Sequence, residues 1–457
     1  MASYERIRLD KSFYRKFFSI YVALVLQNII TLSVNLADNM MLGAYSEISL
    51  SGVAAVNQIQ FIYQQLLTSL GDGLVIFCSQ YWGKRQTGPM KRIAATAMHA
   101  GLLICVLLFS LVSLFPYQAL GIFTTDTAII GEGVRYLNIV RFTYLFFAVT
   151  QILLATLRST EIVKIAFLLS VQTFFINCGI NYVLIYGKFG APELGVAGAA
   201  IGTLVARIVE CTVLILYIVK KGNRLGLRLK DYLGFDRVLC KDYVRITAPM
   251  MAISGLWGLN TALQTVILGH MTSAAIAANS AASNLFLMVK SAAVGASSTA
   301  SILIGKTIGT GDLNLVKNYA RVLQKMFVVI GLISGTILFF LRIPVLSMYD
   351  LSTETKEMAN TFLIILSVVC MGMSYQMPTN TGIIRGGGNT MFVVKMDIIS
   401  IWLIVIPLSF FMAFVVKASP TVVVCCLNAD QIFKCVPAFL EVNYGSWIRK
   451  LTRDDVK

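Results

Sequence analysis

The stretch FFSIYVALVLQNIITLSVNLADNMML, residues 17–42, indicates the fold class of this chain. It contains one charged side chain, Asp38, and is long enough to cross a bilayer, whose hydrocarbon core takes roughly 20 helical residues. Comparable apolar stretches recur along nearly the whole sequence. They predict twelve membrane-spanning helices, near 17–42, 52–78, 94–114, 135–157, 163–186, 195–219, 245–269, 277–303, 323–343, 360–383, 391–416 and 421–442.

The overall composition agrees with this assignment. Of the 457 residues, 57% are hydrophobic and 13% are charged, and the mean hydropathy is +0.76. Soluble domains are about 45–50% apolar and about 25% charged. A soluble fold would have too little polar surface to cover so many helices that are apolar all round. We therefore expect an all-α integral membrane protein.

The distribution of positive charge predicts the orientation in the membrane. The net charge is +16, but 27 of the Lys and Arg residues fall in alternate loops and the two ends of the chain, whereas the opposite loops carry three. Basic residues collect on the cytoplasmic side of membrane proteins. We expect both termini in the cytoplasm, and the charge to contact anionic lipid and not nucleic acid.

The two halves of the sequence resemble each other at a nearly constant spacing. The segment MMLGAYS at 40–46 resembles VILGHMT at 266–272, and Arg158 and Arg385 each close a span at a similar offset. Each half has six spans, so both halves insert in the same orientation. We expect two six-helix lobes related by a pseudo-two-fold axis along the membrane normal. The predicted division is an N-terminal lobe (1–219), a basic cytoplasmic linker (220–244) and a C-terminal lobe with a short tail (245–457).

Polar side chains inside the first-half spans predict a functional site, because each charge costs about 2.5–3.5 kcal/mol on insertion. Asp38 shares one face of the first span with three polar residues, since the steps are four, four and three. Those residues are Gln27, Thr31 and Asn35. Asp38 is predicted to bind a proton or a monovalent cation, and the alternative is a carboxylate in contact with water at the helix end.

Further polar residues accompany Asp38 in the first half. The second span carries Asp72, either a second titrating site or a structural acid paired with a basic residue. The same span carries Gln58 and Gln65 as candidates for a substrate cavity. The oxygens of Asn177, Asn181 and Thr203, in the fifth and sixth spans, suit a hard monovalent cation or a hydrogen-bond network around Asp38. Arg207 and Glu210, three positions apart on the sixth span, are expected to neutralise each other.

The second half lacks an acid at the position of Asp38, where Gln264 stands instead. Asn260, Gln264 and Lys290 are its candidates for the substrate cavity. Lys290 lies near the middle of the eighth span and is interpreted as a counter-ion, a coupling group or a repellent of cationic cargo. Asp430 and Lys434 are expected to form an i,i+4 pair.

Motifs for other functions are missing from the sequence. It has no phosphate-binding Gly-Lys-Ser/Thr loop, no histidine cluster and no Gly-x-Ser-x-Gly elbow. The loops are also too short for a catalytic domain. We expect a protein that is not an enzyme and has no cofactor, and whose uphill transport is driven by an ion gradient.

Five stretches resemble the multidrug and toxic compound extrusion (MATE) family, especially its bacterial, DinF-like and Firmicute-type members. The longest covers 157–207, through the fifth and sixth spans. The others are LADNMMLG (36–43), SQYWGKR (79–85), RGGGNT (385–390) and SWIRKLT (446–452).

The resemblance implies twelve helices in two lobes and antiport of drugs or organic cations against protons or sodium. It implies that Asp38 is the coupling carboxylate, and it places Asn177, Asn181 and Thr203 at the first-lobe cation site of the DinF-like branch. The expected setting is a bacterial plasma membrane, with a monomeric protein and a small amphipathic or cationic substrate. The alternative function is a lipid or lipid-linked glycan flippase of the same superfamily.

Overall fold

The computed structural model describes residues 11–220, 226, 229–234, 236–347 and 352–453. Most of these residues lie in seventeen α-helices: α1 Lys11–Tyr45, α2 Glu47–Gly83, α3 Thr87–Leu114, α4 Pro116–Gly121, α5 Thr127–Val140, α6 Thr143–Ser159, α7 Lys164–Ile185, α8 Val196–Lys220, α9 Arg237–Gly269, α10 Ser273–Thr310, α11 Leu313–Ser347, α12 Thr353–Met377, α13 Thr390–Asp397, α14 Ile406–Phe410, α15 Pro420–Leu427, α16 Asp430–Phe433 and α17 Cys435–Tyr444. Short 3-10 turns lie at Lys188–Gly190 and Leu229–Leu233, and π-helical segments at Pro378–Ile384, Ile398–Val405 and Phe411–Val415.

All twelve predicted spans coincide with helical segments, so the predicted fold class is confirmed. In the described part of the chain, eleven helical segments are long and apolar enough to cross a membrane, and a bent pair makes a twelfth. The bent span consists of α5 and α6, which meet at an angle of 53°. The sequence predicted this span at 135–157, without the bend.

Capping residues explain where several helices begin and end. Thr272 precedes α10, and its side chain accepts a hydrogen bond from the Ala275 amide at 3.1 Å. Asp236 does the same for α9, accepting from the amides of Val238 and Leu239. Gly311 ends α10 with a φ of 85°, a left-handed conformation that glycine adopts without strain.

The chain forms two compact units. The first unit comprises Leu26–Cys78 and Gln86–Met251. The second takes in α1 as far as Val25, the segment Ser79–Arg85, and the described chain from Ala252 onward. Helices α1, α2 and α9 each contribute to both units. The division into lobes at 219 and 245 stays a prediction.

Small residues bring helices of the first unit close together. A side chain at Gly52 would lie 2.7 Å from the Gly133 amide nitrogen, and one at Gly198 would lie 2.7 Å from the Leu184 carbonyl. Membrane helices depend on such small residues because lipid gives little hydrophobic drive for association. The Gly198 contact packs α8 against α7, and these two helices carry most of the predicted cation-site residues.

In the second unit, the last described residues are fixed to two distant parts of the chain. Trp447 is 2% exposed and packs on Gly387. The Arg449 amide donates to the Gly387 carbonyl at 2.8 Å, and the side chain of Gln80, from the end of α2, bonds the backbone at Arg449 and Leu451. The SWIRKLT and RGGGNT stretches quoted above are therefore in contact.

The second unit also has a buried ion-pair cluster. The Lys434 ammonium lies 3.0 Å from Asp430, which confirms the predicted i,i+4 pair, and 2.8 Å from Asp397. Asp430 is 4% and Lys434 3% exposed. Asp397 stands at the start of a π-helical segment and Asp430 at the start of α16, so the charges lie where regular helices are interrupted.

Candidate functional site

Asp38 lies on α1, within the first unit, and is held by an amide. One carboxylate oxygen accepts a hydrogen bond from Asn181 Nδ2 on α7 at 2.7 Å. Among the ion pairs of the described residues, none includes Asp38. The carboxylate therefore has a neutral donor as its partner, and its charge is not cancelled by direct contact with a base.

The other residues predicted to offer oxygen ligands are joined to Asp38 by a series of side-chain hydrogen bonds. Asn181 Nδ2 also lies 3.3 Å from Asn177 Oδ1, and Asn177 Nδ2 donates to Thr203 Oγ1 on α8 at 3.2 Å. Asn177 and Asn181 are completely buried. The structure thus brings together four of the five residues that the sequence assigned to cation coupling, and Asp72 is not among them.

One hydrogen-bond acceptor in this series of side chains has no partner. Asn181 Oδ1 is buried and has no hydrogen-bond partner. A buried polar atom without a partner costs about 1–3 kcal/mol. A cation or a water beside Asp38 would satisfy it, so the oxygens of Asp38, Asn177, Asn181 and Thr203 fit a small hard cation.

Three of these four residues, Asp38, Asn177 and Thr203, line a small polar cavity. Its volume is about 60 Å³, enough for a few water molecules, because one water needs roughly 10–15 Å³ by this measure. The wall is formed by Val34, Asn35, Asp38, Val53, Asn57, Gln60, Tyr63, Gln64, Tyr136, Thr143, Tyr144, Phe147, Thr173, Asn177, Thr203, Ala206 and Arg207.

A second charged residue, Arg207, borders the same cavity. Its Nη1 donates to Glu210 at 2.7 Å, which confirms the predicted pair, and its guanidinium lies 5.1 Å from the Phe147 ring centre. Arg207 also acts on Asp38 electrostatically. Because Arg207 is also paired with Glu210, protonation of Asp38 or binding of a cation beside it changes the net charge of the site by one unit.

The polar residues of α2 that line the cavity are not the two that the sequence singled out. Asn57, Gln60 and Gln64 form its wall, whereas Gln58 is exposed and Gln65 is half-buried outside the lining. The spacing of residues 57, 60 and 64 is itself helical. The sequence therefore contains a helical pattern for these three residues, but the pattern formed by Gln58 and Gln65 is equally regular.

The other first-half candidates lie outside the cavity wall, apart from Asn35. Thr31 donates to the Gln27 carbonyl of its own helix at 2.9 Å. Asp72 lies farther along α2 and interacts with Arg158. A basic residue within electrostatic range is what the structural alternative for Asp72 predicts, and the choice between its two interpretations stays a prediction.

The second-half candidates lie on α9 and α10. Asn260 is buried, and its Oδ1 has no partner. Gln264 is half-buried one turn farther along α9. The Lys290 ammonium lies 4.3 Å from the Trp257 ring centre, a distance for a cation–π contact. Lys290 is therefore held by an aromatic face of its own unit.

A bundle of membrane-spanning helices with a carboxylate in a buried polar cavity is the arrangement of a secondary membrane transporter. The comparison with known families agrees. A MatE family model matches residues 23–183 and again 249–411, and the chain belongs to this family. The two matches begin 226 residues apart, which is the spacing between MMLGAYS and VILGHMT.

Curated relatives match over most of their length. The chain is 24% identical to the "Probable multidrug resistance protein NorM" of Thermotoga maritima, over 94% of this chain and 93% of that protein. It is 25% identical to the "Probable multidrug resistance protein YoeA" of Bacillus subtilis, over 87% and 86%. It is also 23% identical to the "Uncharacterized transporter YisQ" of the same organism, over 82% of both chains.

Solved structures share the fold. An outward-facing multidrug resistance MATE family transporter has a TM-score of 0.85 at 15% identity and covers 93% of this chain and 94% of its own. The bent form of the Vibrio cholerae MATE transporter VcmN has a TM-score of 0.82 at 16% identity, with 95% and 97% covered. The family match and the names of the curated relatives favour an efflux transporter over the flippase alternative, whereas the solved structures support the fold alone.

Proposed function

We propose that this protein exports drugs or other organic cations in exchange for protons or sodium ions. The observation that carries the proposal is the Asp38 carboxylate, bonded to Asn181 and lining a polar cavity without a direct basic partner. The names of the NorM and YoeA relatives support the choice of drugs as cargo.

The cavity supports coupling by competition for one negative charge. With Asp38 ionised, the cavity attracts a cation, which can be the coupling ion or the charged group of the cargo. With Asp38 protonated or occupied by sodium, this attraction is lost and the cargo is released. A ligand changes the balance of two conformations only through its different affinity for them, so exchange at Asp38 gives the required difference.

Both coupling ions suit these residues. Sodium would be held by the carboxylate of Asp38 and by the oxygens of Asn177, Asn181 and Thr203. A proton would need only the carboxylate. The ion is part of the transport reaction, and the proposal includes no resident cofactor and no enzymatic step.

The proposed setting is the plasma membrane of a bacterium, with both termini in the cytoplasm and a monomeric protein. The asymmetric distribution of Lys and Arg between the loops supports this orientation. The proposed cargo is a small amphipathic or cationic molecule, and the lipid bilayer is the other partner.

The proposal is tested with purified protein in liposomes, by measuring efflux of a fluorescent cation under an imposed pH or sodium gradient. The Asp38→Asn variant should lose the gradient-driven part of transport and keep its folded state, because the amide has nearly the same shape. Asp312→Asn is the matched control, since Asp312 lies outside the cavity and only accepts a hydrogen bond from the Leu315 amide.

A third variant separates the two carboxylates of the first half. Asp72→Asn should lower thermal stability, because Arg158 loses its charged neighbour, but the dependence on the gradient should persist. Full gradient-driven transport by Asp38→Asn would refute the proposed function of the cavity. If a well-folded Asp72→Asn variant loses its dependence on the gradient, Asp72 takes part in coupling and the assignment to Asp38 alone is wrong.

A further inference from the structure

An apolar crevice adjoins the Asp38 cavity in the first unit. Its volume is about 490 Å³, eight times that of the polar cavity. The wall is formed by α2, α3 and the segment around α4, through Ile59, Ile62, Tyr63, Leu66, Ile104, Leu108, Leu111, Val112, Phe115, Gln118, Ala119, Ile122 and Phe123. Only Tyr63 and Gln118 bring polar groups to this wall.

The crevice is open on the outer surface of the unit. Leu111 is 53% exposed and Ile62 is 49% exposed, and both belong to membrane-spanning helices. The opening therefore lies among exposed apolar side chains of two membrane-spanning helices, near the end of α3. Such side chains contact lipid tails when the helices are in a bilayer, so a hydrophobic molecule dissolved in the membrane would reach the crevice without crossing water.

Tyr63 separates the crevice from the polar cavity. It lines both spaces and is 2% exposed. Its hydroxyl donates to the Tyr144 carbonyl at 2.7 Å, and its ring lies 5.0 Å from the Tyr144 ring and 5.9 Å from the Phe147 ring, centre to centre. Tyr63 is the residue common to the two walls, and it is held by this hydrogen bond, by a side-chain contact with Cys105 and by two ring contacts.

A neighbour of Tyr63 carries an unsatisfied group. The Tyr144 hydroxyl is buried without a hydrogen-bond partner, and Tyr144 lines the Asp38 cavity. A polar ligand group that reaches this hydroxyl would offset part of the cost of leaving it unpaired.

The sizes of the two spaces indicate what they bind. Drug-sized ligands occupy pockets of about 300–1,000 Å³. The 60 Å³ cavity is too small for such a molecule but holds an ammonium-sized group, and the 490 Å³ crevice is large enough for an apolar body. Adjoining spaces of these two kinds are complementary to one amphipathic cation.

We propose that the crevice binds the apolar body of an amphipathic organic cation, and that rotation of Tyr63 admits its charged group to Asp38. This inference rests on the proposed function and adds to it a separate subsite for the apolar body of the cargo. A flexible alkyl chain with a terminal ammonium matches both spaces. Selectivity for chain length then comes from the crevice, whereas dependence on the gradient comes from Asp38.

The test is competition by butyl- and decyltrimethylammonium against efflux of a fluorescent cation from liposomes. Leu111→Trp fills the crevice from α3, and Ile62→Trp fills it from α2. Leu107→Trp is the matched control, because Leu107 lies one turn from Leu111, is 63% exposed and does not line the crevice. Partition of the probes into lipid is the same for all variants, so it cancels in the comparison.

We expect both crevice variants to weaken inhibition by the decyl probe about tenfold, since losing room for two methylene groups costs roughly that factor. Inhibition by the butyl probe should change less than twofold, and Leu107→Trp should resemble the wild type. Equal decyl inhibition in all variants, or an equal loss in Leu107→Trp, would overturn the subsite and leave lipid as its occupant.

The two proposals fail in different ways. Efflux that does not respond to any ion gradient or to Asp38→Asn overturns the proposed function, and the subsite with it. Gradient-driven efflux with normal butyl inhibition, but with decyl inhibition that ignores the crevice variants, overturns the subsite alone. If one crevice variant does not fold, the other gives the same comparison from a different helix.

Discussion

Gly202→Ala should uncouple transport without touching Asp38. Gly202 lies on α8 against Asn181, and a methyl group there would overlap Asn181 Oδ1 and lie 3.1 Å from its side-chain carbon. The overlapping atom belongs to the fully buried amide that donates to Asp38. The amide has little room to move, so the substitution should displace it from the carboxylate.

The size of the effect follows from the lost contact. A hydrogen bond to a charged group contributes about 1.5–3 kcal/mol, and about 1.4 kcal/mol corresponds to a factor of ten. Gradient-driven efflux at a fixed ion gradient should therefore fall by roughly 10- to 100-fold. The overlap should also lower the unfolding free energy, by about 1–3 kcal/mol as in other overpacked sites.

Two glycine controls separate these effects in the same liposome assay, accompanied by thermal unfolding in detergent. At Gly335, an added methyl would lie 2.7 Å from the Ser367 carbonyl, in the second unit, so Gly335→Ala should lose stability without losing coupling. At Gly179 nothing lies within 4 Å, so Gly179→Ala should change neither. If Gly202→Ala keeps full coupling while it stays folded, or if Gly335→Ala uncouples transport equally, Asn181 does not hold Asp38 in the way described.

Three further predictions concern stability and are checked by thermal or denaturant unfolding. Trp447→Ala should cost about 3–5 kcal/mol as a buried aromatic truncation, whereas Tyr444→Ala, at a residue that is 80% exposed, should cost little; equal losses would contradict the packing of the tail. Lys434→Met should cost about 3–5 kcal/mol because two carboxylates lose their shared cation, and the added change Asp430→Asn should recover part of the loss; no recovery would refute the charge explanation. Hydrogen bonds from the Leu239 amide and the Arg92 guanidinium hold the pKa of Asp236, outside the spans, below its usual value, so its stabilisation is present above about pH 4 and is lost as pH falls through the lower, folded-state pKa. Asp236→Ala should cost about 1 kcal/mol at neutral pH and lose less on acidification than the wild type, and an unchanged acid profile would contradict this.

Much of the candidate site could be read from the sequence. Asp38 was identified because it is the one charge in the first apolar stretch, and a charge in a membrane helix needs a reason. Asn177, Asn181 and Thr203 were found from their spacing and from the family resemblance. Their grouping in the structure follows from the close approach of α7 and α8 at Gly198.

Other features depend on how each helix is rotated against its neighbours. Spacing places Gln58 and Gln65 on one face of α2 and Asn57, Gln60 and Gln64 on another, and both patterns are equally regular in the sequence. Only packing selects the second set for the cavity. The pairing of Lys434 with Asp397 was missed for a similar reason, because the two residues lie on different spans.

The sequence by itself determined the helical class, the twelve spans, the internal repeat and the presence of a carboxylate in the first span. These properties follow from composition and helical period, which are local and are set by the cost of placing polar groups in lipid. The tertiary structure alone decided that Asn181 is the donor to Asp38, and that Tyr63 separates a polar cavity from an apolar crevice. Those relations join helices that are distant in the chain, and they depend on side-chain packing at each helix contact, which no local pattern specifies.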